Sequence, residues 1–64
     1  MPVEIDYTNH RGERAWRCVA PVEIWFGQTH WHPVAQWFLK AYDFEKIARR
    51  DFAMSSVHEW RETR

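Results

Sequence analysis

The amino-acid sequence predicts an all-β fold in which five short strands form one small, strongly bent sheet that closes on itself. Apolar and polar residues alternate with period two over several segments, which is typical of half-buried strands. Glycine, proline, asparagine and aspartate separate these segments at short intervals, as expected for tight turns. The chain has only 64 residues, so a single domain over residues 1–64 accounts for all of it.

The first part of the chain predicts two strands joined by a turn. Residues 3–8 alternate, and Asn9-His10-Arg11-Gly12 then supplies a tight turn in which Gly12 is free to adopt a positive φ. Alternation resumes over 14–20. It is interrupted at Pro21, which has no N–H to donate and therefore indicates a strand edge or a bend.

Two further strands are predicted on either side of a loop. Residues 22–26 alternate, 27–33 read as a loop, and 35–43 form the next strand. This strand is largely apolar on both faces, so we expect it to be a central strand with Trp37 in the core.

The last third of the chain is less uniform. Residues 43–50 fit either a short helix capped by Asp43 or a turn. A last strand then carries Arg50 and Phe52. Ser56-Val57-His58-Glu59 has the pattern of a capping box, which predicts a short C-terminal helix.

Composition and charge exclude several functions. Nine basic and nine acidic residues give no net charge, so binding of duplex DNA through bulk charge is not expected. The single Cys18 excludes an internal disulfide. With no apolar run of about 18 residues and no signal-peptide pattern, we expect a cytoplasmic protein that does not enter a membrane.

Arginine residues are the candidates for holding a small anion. Arg17, Arg49 and Arg50 carry guanidinium groups, which form bidentate hydrogen bonds with phosphate. Arg50 shares strand parity with Phe52, so a charge and an aromatic ring could face one pocket. The alternative is that Arg50 is a solvated edge-strand residue paired with Asp51 or Glu45.

Two tryptophans are difficult to place in a core. Trp25 shares its strand face with Glu23, and Trp31 lies between His30 and His32 in the predicted loop. An exposed indole can stack on a nucleobase or anchor a protein interface. In a chain with a small core, we expect an interface, and therefore a homo-oligomer built partly by pairing of edge strands.

No residue pattern predicts an enzyme. A zinc site needs three or four ligands, and His30 and His32 have no acid or thiol close by in the sequence. Cys18 has no neighbour expected to activate it, and no glycine-rich phosphate loop is present. We therefore expect no catalytic residue, no metal and no cofactor.

Several motifs occur together in an order typical of one family. Trp37-Phe38-Leu39 is followed by Arg50-Asp51-Phe52-Ala53-Met54, and upstream lie Ile5-Asp6-Tyr7-Thr8-Asn9, a turn at Gly12 and the Arg-x-Val-x-Pro element of residues 17–21. Over roughly residues 4 to 57 the chain resembles the WYL domain, the ligand-sensing module of many bacterial and phage regulators.

The resemblance implies an Sm-like, SH3-type barrel and favours a hairpin turn over 43–50. It also implies that Arg50, Phe52 and the aromatic triplet contact a ligand. The family usually has another arginine a few residues after Phe52, where this chain has Ser55-Ser56. Only Met1-Pro2-Val3 precedes the first motif, so we expect a stand-alone copy without a helix-turn-helix domain.

Two classes of function follow. The first is a ligand-binding regulatory module, for example a phage-encoded sponge, that captures a cyclic or linear oligonucleotide or a short single-stranded nucleic acid. The alternative is a protein-interaction or oligomerisation module that modulates a larger regulator. The candidate ligand-binding residues are Arg17, Trp25, Trp31, His32, Arg49, Arg50 and Phe52.

Overall fold

Five antiparallel strands form a single sheet in the computed structural model, which describes residues 2–63. The strands are β1 (Val3–Thr8), β2 (Arg14–Gly27), β3 (Gln36–Asp43), β4 (Ala48–Ala53) and β5 (Val57–Glu62), and a 3₁₀ turn (Met54–Ser56) connects the last two. The order across the sheet is β4-β3-β2-β1-β5, so β4 and β5 are its edges. The predicted all-β class with five strands in a small, barrel-like sheet is confirmed.

Strand β2 is long and pairs with two other strands. Its first half pairs with β1 and its second half pairs with β3, and Val19 lies at the crossing with a partner on each side. The register shifts between Pro21 and Glu23, so the bend predicted at Pro21 is confirmed. The separate strands predicted over 14–20 and 22–26 are one continuous strand, because the bulge bends the ladder without ending it.

The predicted C-terminal helix is wrong. The segment from Val57 forms β5, which pairs with the outer edge of β1 from Val3↔Glu62 to Tyr7↔Val57. Hydrogen bonds to the open edge of β1 satisfy backbone groups of both strands, which an isolated helical turn would not do. This partner comes from the other end of the sequence, so a local capping pattern could not reveal it.

The core lies on the concave face of the sheet. It contains Val3, Ile5, Tyr7, Val19, Leu39, Ala41 and Phe52, with Met54 and Val57 packed against it. The ring of Tyr7 meets Phe52 edge to face, with centroids 4.8 Å apart. On the other face of β3, Phe38 is also fully buried, because the indole of Trp25 stacks on it at 4.9 Å. Strand β3 is therefore an inner strand covered on both faces, as predicted.

The expectation that Trp37 lies in the core is wrong, since the residue is 55% exposed. Trp37 shares a face with Leu39, but it pairs with Phe26 at the end of the β2–β3 hairpin. Strand β1 pairs with β2 only as far as Val19. It therefore does not extend to the end of the β2–β3 hairpin, where it could have covered the side chain of Trp37. Cys18, which we expected within the strand without a reactive role, is exposed.

Residues 44–47 form a turn, so of the two alternatives the hairpin is confirmed. The buried carboxylate of Asp43 organises it by accepting hydrogen bonds from the backbone N–H groups of Glu45 (2.9 Å) and Lys46 (3.3 Å). Ile47 completes the turn at φ 54°, in the left-handed region that β-branched residues rarely occupy.

Replacing Ile47 should stabilise the protein. The left-handed conformation costs an L-residue about 1 to 2 kcal/mol, and Asn tolerates it better than a β-branched residue does. Ile47 is 77% exposed, so little packing is lost. We expect Ile47→Asn to raise the free energy of unfolding by about 1 kcal/mol, measured by chemical denaturation. Ile47→Val, which keeps the branched Cβ, should change nothing, and an equal gain in both variants would contradict the explanation.

A second polar pair fixes the outer face of β1. The guanidinium of Arg14 donates two hydrogen bonds to the carboxylate of Asp6, from Nε at 3.0 Å and from Nη2 at 2.7 Å. These hydrogen bonds hold the pKa of Asp6 below its usual value of 3.8, although partial burial acts in the opposite direction.

The Asp6 pair should contribute stability only while the carboxylate is charged. Because its folded pKa is depressed, the contribution is present above the unfolded pKa and is lost as pH falls through the folded value. We expect Arg14→Gln to melt below the native protein at neutral pH, and the difference should shrink as pH falls below the ordinary pKa of 3.8. Lys40→Gln, which removes a cation from the exposed Glu23 pair, serves as the control. An Arg14→Gln difference independent of pH would refute the assignment.

Candidate functional site

A cleft opens where the β1–β2 turn, the β2–β3 loop and strand β4 meet. Its volume is about 370 Å³. It is lined by Tyr7, Asn9, His10, Thr29, Trp31, His32, Arg49, Arg50 and Asp51. We call it the main cleft. Four of the residues predicted as ligand-binding, Arg49, Arg50, Trp31 and His32, are brought together here from distant parts of the sequence.

The β1–β2 turn forms one wall and is held by Asn9. The side-chain oxygen of Asn9 accepts hydrogen bonds from the backbone N–H groups of Arg11 (2.9 Å) and Glu13 (3.0 Å). Gly12 adopts φ 81°, so its predicted positive φ is confirmed. The wall is therefore fixed by local hydrogen bonds before any ligand arrives.

The β2–β3 loop brings Trp31 against the β1–β2 turn. Thr29 and His32 exchange backbone hydrogen bonds (3.0 and 3.2 Å), which close a four-residue turn with Trp31 near its tip. The indole stacks on the ring of His10, with centroids 4.9 Å apart and planes 24° apart. Trp31 is nevertheless 67% exposed, so the site presents a large aromatic surface that is already oriented by a neighbour.

The two arginines of β4 differ in their surroundings. Arg49 is exposed and forms no ion pair with any residue in the described range 2–63. Arg50 lies 3.4 Å from the buried carboxylate of Asp43 and 5.4 Å from the centre of the Phe52 ring. Arg50 therefore neutralises a buried charge as well as lining the cleft. It pairs with Asp43, and not with Asp51 or Glu45 as considered from the sequence.

Phe52 does not line the cleft. Its side chain is buried in the core against Tyr7, so neither face of the ring is open to a ligand. Phe52 and Arg50 do lie on the same face of β4, as their parity predicted. The Phe52 ring, however, lies beneath the guanidinium group of Arg50 and not in the cleft. Phe52 supports Arg50 from inside the protein.

Trp25 lies one layer behind the cleft wall. Its Nε1 donates a 2.8 Å hydrogen bond to Asp51, which lines the cleft, and its ring stacks on Phe38. Gly27 makes this position possible, because a Cβ there would approach Cζ3 of Trp25 to 2.6 Å. Trp25 thus orients a residue of the cleft and offers no stacking surface within it.

Arg17 belongs to a second, smaller cleft of about 190 Å³. Asn9, His10 and Arg50 line both clefts, so the two adjoin. Arg17 pairs with Glu45, while its Nε is buried without a hydrogen-bond partner among the described residues. The second cleft is lined by Asn9, His10, Arg11, Glu13, Arg17, Lys46 and Arg50.

Sequence reasoning missed several residues of the main cleft: Tyr7, Asn9, His10, Thr29 and Asp51. A signal existed for Asn9, because an asparagine that starts a turn ending in glycine usually organises it through its side chain. No sequence signal indicates that the turn at Asn9 and the loop at Trp31 touch, since that contact depends on the bend of β2.

No family model, curated protein or solved structure matches the chain. Over residues 2–63, no group of three or more His, Cys, Asp or Glu side chains is arranged to hold a metal ion. The described range also contains no helix of the length and apolarity required to cross a membrane.

A methyl group at Gly27 should disturb the cleft through Trp25. In Gly27→Ala the new Cβ must displace an indole fixed by stacking and by its hydrogen bond to Asp51. We expect a loss of about 1 to 3 kcal/mol in the free energy of unfolding. In an NMR spectrum, one of the five indole N–H resonances, assigned with Trp25→Phe, should shift. Gln28→Ala is the control, and an unshifted resonance would show that the ring is not held as described.

Proposed function

We propose that this protein is a ligand-binding regulatory module that captures a nucleotide-type signal, either a cyclic or linear oligonucleotide or a short single-stranded nucleic acid. One observation carries the proposal: the exposed indole of Trp31 and the guanidinium groups of Arg49 and Arg50 converge on one cleft. An unpaired nucleotide offers a flat base for stacking and a phosphate for the arginines.

The size of the main cleft supports this proposal. Pockets for small ligands have volumes of about 300 to 1,000 Å³, and the main cleft, at about 370 Å³, lies near the lower limit. It suits a base with its sugar and phosphate better than a large folded ligand. The adjoining cleft gives a chain of nucleotides room to continue past Arg50.

Charge favours single strands over duplex DNA. The chain as a whole has no net charge, so attraction to a phosphate backbone must be local. Arg49 supplies that local charge, because it has no ion pair within the described residues. The resemblance to WYL domains agrees with a ligand-sensing role in a phage or bacterial regulatory system. The exposed thiol of Cys18 fits the reducing cytoplasm, where we place the protein.

A protein-interaction module is the second candidate. Ile24, Phe26 and Trp37 are exposed together on one face of the β2–β3 hairpin, which is a typical feature of protein interfaces. This surface is separate from the main cleft, so the two functions do not compete for residues.

Arg49 and Trp31 are the residues that test ligand binding without disturbing the fold. We expect Trp31→Ala to weaken binding by about 1 to 3 kcal/mol and Arg49→Ala by about 1.5 to 3 kcal/mol. Arg50→Lys keeps a charge beside Asp43 but loses the planar fork, so it should retain only part of the affinity. Calorimetric titration with cyclic nucleotides, linear dinucleotides and short single strands provides the measurement.

Arg61→Ala is the matched control, because it removes one guanidinium group from the β1–β5 side of the sheet. It should leave affinity unchanged. Equal binding by every variant would place the ligand elsewhere, with the second cleft around Arg17 next to be tested. If nothing in the panel binds while a partner protein is retained through Trp37, the interaction module is the correct function.

A further inference from the structure

Two large aromatic side chains meet at the open end of the β2–β3 hairpin. Phe26 and Trp37 are direct cross-strand partners, and their rings pack edge to face with centroids 5.3 Å apart. Ile24 lies two residues earlier on β2 and shares their face. Exposed fractions are 58% for Ile24, 57% for Phe26 and 55% for Trp37. We call these three residues the aromatic patch.

The aromatic patch is an extension of the core. Leu39 lies two residues after Trp37 on the same face of β3, is the cross-strand partner of Ile24, and is fully buried. The core side of the sheet therefore continues past Leu39 into three apolar side chains, each of which stays more than half exposed with residues 2–63 in place. The patch thus resembles one layer of a core that lacks the layer to cover it. Covering it with another apolar surface lowers the free energy.

We propose that a second copy of this chain covers the aromatic patch, so that the protein forms a symmetric dimer through the open end of the β2–β3 hairpin. In such an isologous interface each patch meets an identical one, so any unpaired charge would be brought close to its own copy. The aromatic patch contains no charged residue, and its neighbouring cross-strand pair, Gly27 and Gln36, is uncharged.

The nearest charges along the hairpin also permit this arrangement. Glu23 and Lys40 are cross-strand partners with their charged groups 3.6 Å apart, so they neutralise each other. They alternate with Ile24 and Leu39 along the strands and therefore lie on the opposite face of the sheet. When two copies of the patch meet, no like charges are brought together, so no electrostatic repulsion opposes the contact. The patch also has no charge that would favour a different, charged partner.

The exposed area is sufficient for a small interface. A large aromatic side chain buries about 150 to 250 Å² when fully covered. Phe26 and Trp37, each more than half exposed, together with Ile24 therefore provide roughly 300 Å² of apolar surface. The smaller specific interfaces bury about 600 Å² per partner, of which about 60% is apolar. The patch supplies most of that apolar area, and we expect dimerisation in the micromolar range.

This contact differs from the strand-edge pairing expected from the sequence. It uses a side-chain face of β2 and β3 and leaves the edges β4 and β5 unchanged. None of its residues lines either cleft. A dimer would therefore display two complete main clefts.

Sedimentation velocity tests the proposal on the full chain between about 1 µM and 1 mM. The native protein should shift from the mass of one chain to that of two. Trp37→Glu places like charges across the interface and should weaken association about tenfold or more, with an unchanged circular dichroism spectrum. Phe26→Lys should act in the same way, and it provides the test if Trp37→Glu fails to fold.

Mixing Trp37→Glu with Phe26→Lys should restore association, because opposite charges then meet across the patch. Trp31→Glu changes another exposed tryptophan, which lies in the main cleft and outside the aromatic patch, and should dimerise as the native protein does. The proposal is overturned if the native protein is monomeric at every concentration, because the patch would then belong to another partner. It is also overturned if the folded patch variants dimerise with native affinity.

Discussion

The two-sided pairing of β2 is the constraint on which the rest of this structure depends. A single strand of 14 residues forms a ladder with β1 along its first half and with β3 along its second half, and the bulge after Pro21 turns one half relative to the other. The bend gives a short chain a concave core face. It also brings the turn at Asn9 and the loop at Trp31, which lie at opposite ends of β2, into contact.

A buried charge links the fold to the main cleft. Asp43 is fully buried, yet its carboxylate receives two backbone N–H groups of the β3–β4 turn and the guanidinium group of Arg50. An isolated carboxylate at such a position would be costly, so Arg50 has a structural role that is independent of any ligand. The position of Arg50 in the cleft is thus fixed by its pairing with Asp43 in the β3–β4 turn. Arg49 adds a positive charge that has no such structural role.

Sequence patterns predicted the features that depend on neighbouring residues. Alternation located β1 and β3, Pro21 marked the bend, and Gly12 identified the tight turn. Errors arose where a distant segment decided the outcome. β5 formed because β1 had an open edge, and Trp37 is exposed because β1 ends its pairing at Val19. Four candidate residues reached the main cleft, but parity alone could not show that Phe52 faces inward beneath Arg50.

The strand order also determines how the chain reaches its native state. The pairings β1–β2, β2–β3 and β3–β4 join neighbours in sequence, whereas β1–β5 joins Val3 to Glu62. Closing so long a loop carries the greatest entropic cost and is expected to occur last, after three local hairpins have formed. The hydroxyl of Thr63 donates a hydrogen bond to the carbonyl of Pro2 at 3.0 Å, so these two residues lie side by side. A short covalent cross-link between residues 2 and 63 would shorten this loop in the unfolded chain and so lower the entropic cost of the β1–β5 pairing without altering the sheet.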